Sequence, residues 1–343
     1  MADRRLERKL TPVGVHPGTF MLTPTEEPMQ TLDIGVDVAK KEVVVACAEE
    51  KFAPHTVKND SASLKRWLRS LPAGTRIGLE PTSHYHLCLA DCAHALGFTV
   101  YVLNPRDTRH YARAVGSRAK TDRVDAQLIA RYIQHEAAHL NPYRPPSETE
   151  RAIDQLLRRR AKLTALKGAL AMTLRGVPAL KAEASVLTKR FDVLIARLDA
   201  MLQTRIAAEP AKYATCQRLQ GIVSVGPLTS AGLGNALDRV RYRSADAFVA
   251  FLGWDPRAQD SGEHRGRRRL SKRGPAELRR LLYNAAMSAV KTKCWGPIYQ
   301  RYRARGLSST ESLVILARKI ARTAWSVHRH GTTFDPNRIT QQC

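Results

Sequence analysis

The sequence lacks any apolar run that is long enough to cross a membrane. No segment approaches the ~20 consecutive apolar residues that a transmembrane helix needs. The first thirty residues carry charges of both signs and contain no apolar core of the kind that a signal peptide has. We therefore expect a cytoplasmic protein with no membrane partner.

The cysteines lack the arrangement that a zinc site or a disulfide framework requires. Six are present, and their spacing matches neither a zinc-binding pattern nor a set of paired cysteines. They are Cys47, Cys88, Cys92, Cys216, Cys294 and Cys343. We interpret them as reduced thiols with mostly structural roles, which excludes the zinc-finger and disulfide-scaffold classes.

Acidic residues are scarce relative to basic ones. The sequence has 31 Asp and Glu residues against 56 Lys and Arg residues, which gives a formal net charge of +25. A protein with neutral partners has no need of such an excess, so a polyanion is the expected partner. A basic enzyme that acts on something other than a polyanion is the alternative.

The length of 343 residues suggests about two domains. In the first half, short apolar runs joined by tight turns predict a three-stranded meander, followed by alternating helices and strands. The predicted strands cover residues 31–38, 42–47, 52–57, 76–80 and 98–103, and the predicted helices cover 61–71, 84–96, 105–115 and 122–139. This order predicts a mixed sheet with helical crossovers.

The second half is predicted to be mostly helical. A Pro-rich break at 141–146 indicates a linker, and two long helical runs follow at 148–174 and 182–208. Apolar residues in the second run alternate at spacings of four and three, as in a coiled coil, and they are Leu187, Phe191, Leu194, Leu198 and Met201. The pair therefore forms either a hairpin arm that supports dimerisation or an ordinary pair of bundle helices.

Three further features mark the region beyond residue 208. Val225, Gly226 and Pro227 resemble the turn of a helix-hairpin-helix unit, in which backbone amides contact a phosphate, although a plain helix-helix turn also fits. Helices are predicted at 275–292 and 309–327, the second with a capping box between Ser308 and Glu311. The segment after residue 331 is predicted to be unstructured.

Two carboxylates, Asp122 and Asp125, lie three residues apart at the start of a helix-forming run. On a helix they share a face, where they can hold a hard divalent cation if other oxygen ligands join them. Two predicted strands supply candidates, since Asp37 lies in the first and Glu80 ends the fourth. The alternative is that Asp122 caps the helix and Asp125 is solvated.

A glycine-punctuated basic loop occupies residues 262–274, where six Lys or Arg residues accompany one acidic residue. Such a loop can contact phosphates without reading base sequence. Its candidate nucleic-acid contacts are Arg265, Arg267, Arg268, Arg269, Lys272 and Arg273, and Lys120 and Arg123 beside the acidic pair are further candidates. The alternative is a solvated run of charge.

An ordered set of motifs in both halves resembles one family. The motifs are IGVDVAK (34–40), LEPTSHYH (79–86), NPR (104–106), ARAVGSRAKTDRVDA (112–126), FLGWDPR (251–257), DSG (260–262), SKRG (271–274) and LRRLLY (278–283). Together they resemble the DEDD transposases of the IS110 family of bacterial insertion sequences. The resemblance extends from about residue 31 to about residue 327.

The resemblance implies a fold and a division into domains. It implies an α/β N-terminal RuvC-like domain with the mixed sheet of the RNase H-like fold, then a helical coiled-coil arm and a mostly α C-terminal transposase domain. The expected boundaries are 1–30 for a disordered extension, 31–140 for the RuvC-like domain, 148–208 for the arm, 209–330 for the C-terminal domain and 331–343 for a disordered tail.

The resemblance also implies an activity and its partners. Asp37, Glu80, Asp122 and Asp125 would bind Mg²⁺, and Ser261 would be the nucleophile that forms a covalent phosphoserine with donor and target DNA. A structured guide RNA, the bridge RNA, would pair with both DNAs in the bacterial cytosol, and homodimers would join into tetramers. From the residues alone, Ser271 in the basic loop remains the best rival to Ser261.

Because Ser261 is distant in sequence from the four carboxylates, the active site would have to be assembled from two domains or from two subunits. Two other functions remain open at this stage. A junction-resolving endonuclease would use the same carboxylates with water as the nucleophile. A non-enzymatic basic protein would bind nucleic acid while its carboxylates served the structure.

Overall fold

The computed structural model describes residues 32–49, 53–117, 121–257, 260–261, 264–265 and 269–340. The chain divides into two compact units, the first ending at Pro145 and the second beginning at Pro146. Within the described residues, no helix combines the length and the apolar character that crossing a membrane requires.

The first unit is built on a five-stranded mixed sheet in the order β3-β2-β1-β4-β5. The strands are β1 Asp33–Val38, β2 Glu42–Cys47, β3 His55–Lys58, β4 Arg76–Leu79 and β5 Thr99–Val102. The first three pair antiparallel, whereas β4 and β5 join in parallel through helical crossovers. The predicted mixed sheet is confirmed, and the predicted third strand begins at Phe52, which lies outside the described residues.

Four helices accompany the sheet: α1 Ser61–Leu68, α2 His86–Ala95, α3 Pro105–Ala114 and α4 Asp122–Glu136, the last followed by a 3₁₀ turn over Ala137–His139. The first helix ends before the predicted residue 71, because Leu71 precedes Pro72 and that position disfavours helical backbone. The second begins after Ser83, whose φ of 50° is not helical.

The two faces of the sheet contact different helices. On one face, alternate residues of β1 such as Ile34 and Val36 are buried together with Leu64 of α1 and Leu89 of α2. On the opposite face, β1 has a glycine, Gly35, and a Cβ atom at this position would collide with backbone atoms of α4. The absence of a side chain on Gly35 lets the backbone of α4 approach the sheet closely.

The second unit begins with a helical hairpin of α5 Glu148–Thr173 and α6 Lys181–Ala207, joined through a 3₁₀ turn over Pro178–Leu180. Ion pairs join the helices in antiparallel order, and they include Arg160 with Asp199 and Lys167 with Asp192 at 2.5 Å and Arg205 with Glu148 at 3.9 Å. Both predicted long helices are therefore confirmed.

The remaining helices pack around a core that includes Phe248 and Trp295, each with 0% of its surface exposed. They are α7 Pro210–Gln220, α8 Pro227–Arg239, α9 Ala245–Phe251, α10 Ala276–Ala289, α11 Gly296–Ala304, α12 Ser309–His330 and α13 Asn337–Thr340. The capping box of Ser308 and Glu311 is confirmed. Helix α11 was not predicted from the sequence.

The prediction of an unstructured tail is wrong for the described residues after 331. Helix α13 forms there, and Phe334 stacks on Trp295 with ring centroids 6.0 Å apart. Ile339 also packs against the core. The tail is ordered because its apolar side chains cover the buried tryptophan, a long-range contact that local composition does not reveal.

We expect Gly35→Ala to destabilise the first unit by about 3 kcal/mol, because the added methyl group meets backbone atoms that cannot rotate away. Urea denaturation followed by circular dichroism measures this loss. Gly168→Ala is the control, since nothing lies within 4 Å of a Cβ atom at this helical position, and it should stabilise the protein by ~0.5–1 kcal/mol. Equal stability of wild type and Gly35→Ala would contradict the close approach.

Candidate active site

The parallel pairing of β1 and β4 places two of the predicted carboxylates at the same edge of the sheet. Val36 lies opposite Leu79 in the register of these strands. Asp37 and Glu80 are the next residue in each case, so they are neighbours where parallel strands reach their carboxyl ends. Asp37 and Glu80 each lie two residues after a glycine that faces α4, namely Gly35 and Gly78. Because side chains alternate along a strand, both carboxylates lie on the face that α4 covers.

The N-terminus of α4 supplies the other two carboxylates. Thr121 caps this helix, and its hydroxyl accepts a hydrogen bond from the Val124 amide at 3.3 Å. Asp122 and Asp125 therefore both lie in the first turn, where the exposed N–H groups of the helix favour negative charge. The alternative that Asp122 caps the helix is wrong, because Thr121 occupies that position.

The electrostatics of Asp37 show that the four carboxylates interact. Burial is the largest cause that raises the pKa of Asp37 from 3.8 to about 6. Negative charge on its neighbours raises the pKa further, and those neighbours are Asp122, Asp125 and Glu80. The fold thus places Asp37 within electrostatic reach of three acidic side chains that are distant from it in sequence.

Thr108 is a part of this site that the sequence analysis missed. It is buried in α3, and its hydroxyl donates a hydrogen bond to Oε1 of Glu80. The same hydroxyl lies 3.3 Å from the carbonyl oxygen of Pro105. The available signal was positional, since a threonine near the start of the helix predicted at 105–115 can turn inward. The bond holds Glu80 against α3.

The donor set fits a hard divalent cation by its chemistry. Carboxylate oxygens are the preferred protein ligands of Mg²⁺, and a cation would relieve the repulsion that raises the pKa of Asp37. In the part of the chain that the structure describes, no three acidic, His or Cys side chains are close enough together to form a ready metal site. Cation binding would therefore need movement of side chains, and Glu80 would have to loosen or share its bond with Thr108.

The second predicted site lies in the second unit. Short strands β6 Pro256–Arg257 and β9 Arg269–Leu270 pair antiparallel, as do β7 Asp260–Ser261 and β8 His264–Arg265. Ser261 thus lies opposite His264 in a small hairpin.

The side chains of Ser261 and Arg265 lie outside the described residues, as do Lys120, Arg267 and Arg268 entirely. The other predicted basic contacts are exposed, and they are Arg123, Arg269, Lys272 and Arg273. Their exposure is compatible with contacts to phosphates, which remain a prediction.

Ser271, the rival nucleophile, fastens the base of this loop. It is 5% exposed, and its hydroxyl donates a hydrogen bond to the Asp255 carboxylate. Its amide also donates to the Asp255 carbonyl oxygen at 3.1 Å. The segments that contain Gly253 and Gly274 pack closely together, and a Cβ atom on either glycine would collide with backbone atoms of the other segment. A buried hydroxyl engaged in this way is poorly placed to attack DNA.

The predicted helix-hairpin-helix turn lies between α7 and α8. Ser224 adopts a φ of 78°, which is the backbone region that favours glycine. The turn is anchored by Trp295, whose indole N–H donates to the Val223 carbonyl oxygen at 3.1 Å. No side chain caps α8, whose N-cap is Gly226, so the geometry suits a phosphate, and such a contact remains a prediction.

Comparison with known proteins matches both units to one family. Residues 34–178 match a model of the IS110-type DEDD transposase domain, and residues 216–302 match one described as "Transposase IS116/IS110/IS902 family". The chain belongs to the IS110 family of transposases. The resemblance drawn from the motifs is thereby confirmed, as is the prediction that this protein is an enzyme that cuts and rejoins DNA.

Related proteins cover nearly the whole chain. A "Pilin gene-inverting protein" of Moraxella bovis is 25% identical over 88% of this chain and 97% of its own length. The "Transposase for insertion sequence element IS1328" of Yersinia enterocolitica is 26% identical over 88% and 98%. A "Probable family 20 transposase" of Pseudomonas aeruginosa is 25% identical over the same shares, 88% and 98%.

Ser271→Ala should destabilise this IS110-family transposase by ~1–3 kcal/mol, because it leaves a carboxylate oxygen of Asp255 without its donor. Chemical denaturation measures the loss. Ser288→Ala is a matched control at an exposed position of α10, and it should change stability by less than ~0.5 kcal/mol. If both variants were equally stable, Ser271 would not fasten the loop.

Proposed function

We propose that this transposase recombines the donor and target DNA of an insertion sequence through a covalent bond between DNA and Ser261, assisted by Mg²⁺ at the four carboxylates. The observation that carries the proposal is the coupling of Asp37 to Asp122, Asp125 and Glu80, because burial and then the negative charges of these three neighbours raise the pKa of Asp37 to about 6. Such clustering of negative charge has a cost for folding, and cation-assisted phosphoryl chemistry gives it a use.

The carboxylates would hold the cation and orient the scissile phosphate. When bound, Mg²⁺ would supply Lewis-acid polarisation of the phosphate and neutralise charge that develops on its oxygens. Asp122 and Asp125 are fixed by the first turn of α4, and Glu80 is held by Thr108. These constraints limit where a bound phosphate can lie.

The chemical step would exchange one phosphate ester for another. A bond forms between Oγ of Ser261 and phosphorus, and the bond from phosphorus to a deoxyribose oxygen breaks. The serine proton passes to that leaving oxygen, so the step balances without a further reactant. Because the phosphoserine keeps the phosphodiester energy, a second DNA strand can reverse the reaction and rejoin the DNA.

The relatives support joining as well as cutting. Two relatives are named pilin gene-inverting proteins, and inversion of a DNA segment requires every cut end to be rejoined. A third is named as the transposase of an insertion sequence. A hydrolytic endonuclease would leave open ends, so these names favour the recombinase over the junction-resolving endonuclease.

We further propose that a structured bridge RNA guides the reaction. The support is electrostatic, since a net charge of +25 attracts RNA as well as DNA. RNA that copurifies with the full chain should map to a noncoding stretch beside the gene, with loops able to pair with donor and target. RNA of random origin would argue against guidance.

Two substitutions test the chemistry. Asp125→Ala should lower DNA cleavage by more than about 100-fold while leaving salt-dependent DNA binding intact, because it removes an oxygen ligand and not a phosphate contact. Ser261→Ala should abolish the covalent protein-DNA adduct, which denaturing gel electrophoresis detects on labelled DNA. Ser288→Ala is the matched control and should form the adduct normally.

The outcomes separate the competing functions. Cleavage by Ser261→Ala without an adduct would identify a hydrolytic endonuclease. Cleavage by Asp125→Ala at the wild-type rate would assign the carboxylates a structural role and remove the proposal.

The arm composed of α5 and α6 offers a surface for self-association. Nine large apolar side chains of the arm and its turn are exposed, and they are Leu166, Met172, Val177, Leu180, Val186, Leu187, Val193, Leu194 and Met201. Three of these, Leu187, Leu194 and Met201, recur every seventh residue along α6, which is the repeat of a coiled-coil seam. We propose that a second copy of the chain covers this seam, and that dimers formed in this way join into tetramers.

Leu187→Glu combined with Leu194→Glu should shift the protein toward the monomer by burying charge in the seam, as measured by light scattering with size-exclusion chromatography. Ser185→Glu with Ala196→Glu is the control, since it adds the same charge at exposed positions of α6 outside the series. An unchanged mass for the leucine variant would place self-association elsewhere.

A further inference from the structure

Helix α3 presents a basic face that no prediction included. Arg106, Arg109, His110 and Arg113 are all exposed, and each lies three or four residues from two of the others. The spacing places all of them within one side of the helix. The acidic residue among them in sequence, Asp107, lies in the first turn of the helix and off this face.

The opposite face of α3 is fixed to the carboxylate site. Thr108 is buried there and donates its hydrogen bond to Glu80. One turn further, Tyr111 packs edge-on against Tyr132 of α4, with ring centroids 5.3 Å apart. The helix that orients one of the four carboxylates therefore also orients the basic face, and the two cannot move independently.

We propose that this basic face binds the sugar-phosphate backbone of the DNA strand that enters the carboxylate site. The proposal rests on the proposed function, and it adds a binding surface to it. From Arg106 to Arg113 the helix rises ~10 Å, and one strand of B-DNA places a phosphate every ~3.4 Å along its axis. The face can therefore follow roughly three phosphates of that strand.

DNA fits this position better than a guide RNA does. The strand that reacts must pass the four carboxylates, and α3 contacts one of them directly through Thr108. Arginine side chains bind phosphate oxygens, whereas recognition of unpaired bases relies on aromatic stacking. The face should consequently hold the DNA in register without selecting its sequence.

The test compares two double variants that each remove two positive charges. Arg109→Gln with Arg113→Gln alters the basic face. Arg66→Gln with Arg69→Gln alters two exposed arginines at α1 and its C-cap, and α1 packs on the sheet face opposite to α4. Binding of the full chain to a short mixed-sequence DNA duplex is measured by fluorescence anisotropy over a salt series, with EDTA present so that no cleavage occurs.

We expect the α3 variant to bind DNA several-fold to tens of times more weakly at low salt. The slope of log affinity against log salt should fall by about 1.4–1.8, since each lost phosphate contact removes ~0.7–0.9. The α1 variant should keep a slope close to wild type. Denaturation midpoints of both variants should match wild type, because all four substitutions are at exposed polar positions.

Three results would overturn the inference. In the first, the salt slope of the α3 variant equals that of wild type. In the second, the α1 variant loses as much DNA affinity as the α3 variant. In the third, the α3 variant loses affinity for a structured RNA probe and not for DNA. The last result would assign the face to RNA. Because EDTA removes cleavage from the measurement, these outcomes are independent of the Asp125→Ala and Ser261→Ala experiments that decide the proposed function.

Discussion

The close approach of α4 to the sheet is the constraint on which the candidate site depends. Gly35 and Gly78 lack the side chains that would hold the helix away, so its backbone lies directly on β1. A helix at an ordinary distance from a sheet would place its first turn several ångströms farther from Asp37. The two glycines therefore determine whether the acidic residues on strands and helix can act on one phosphate.

The sequence was sufficient to predict the sheet and the long helices, because each depends on local periodicity, whereas the role of the four carboxylates stays a prediction. It failed where distant residues decide. Thr108 was missed because its bond to Glu80 depends on how α3 lies, and the tail was mispredicted because Phe334 finds Trp295 only in the folded unit. The alternative interpretation of the acidic pair made Asp122 the cap of α4, whereas Thr121 is the cap, and this is a smaller error because both residue types are favoured caps.

The molecule combines opposite electrostatic designs. A chain with a net charge of +25 attracts nucleic acid over its surface, yet the candidate active site gathers negative charge that would repel a phosphate on its own. Under the proposal made above, Arg106, Arg109 and Arg113 on α3 would attract neighbouring phosphates, and a cation would offset the repulsion at the carboxylates. Substrate approach and metal binding should therefore reinforce each other.

The base of the hairpin loop has a consequence for how these proteins diversify. The two ends of the segment between residues 255 and 271 are held together by the close approach of Gly253 and Gly274 and by the hydrogen bond from Ser271 to Asp255. The helical core keeps its packing when an exposed basic residue between those ends is replaced, because the two ends stay joined. Substitutions in this segment that spare Ser261 can therefore change contacts with nucleic acid without opening its base.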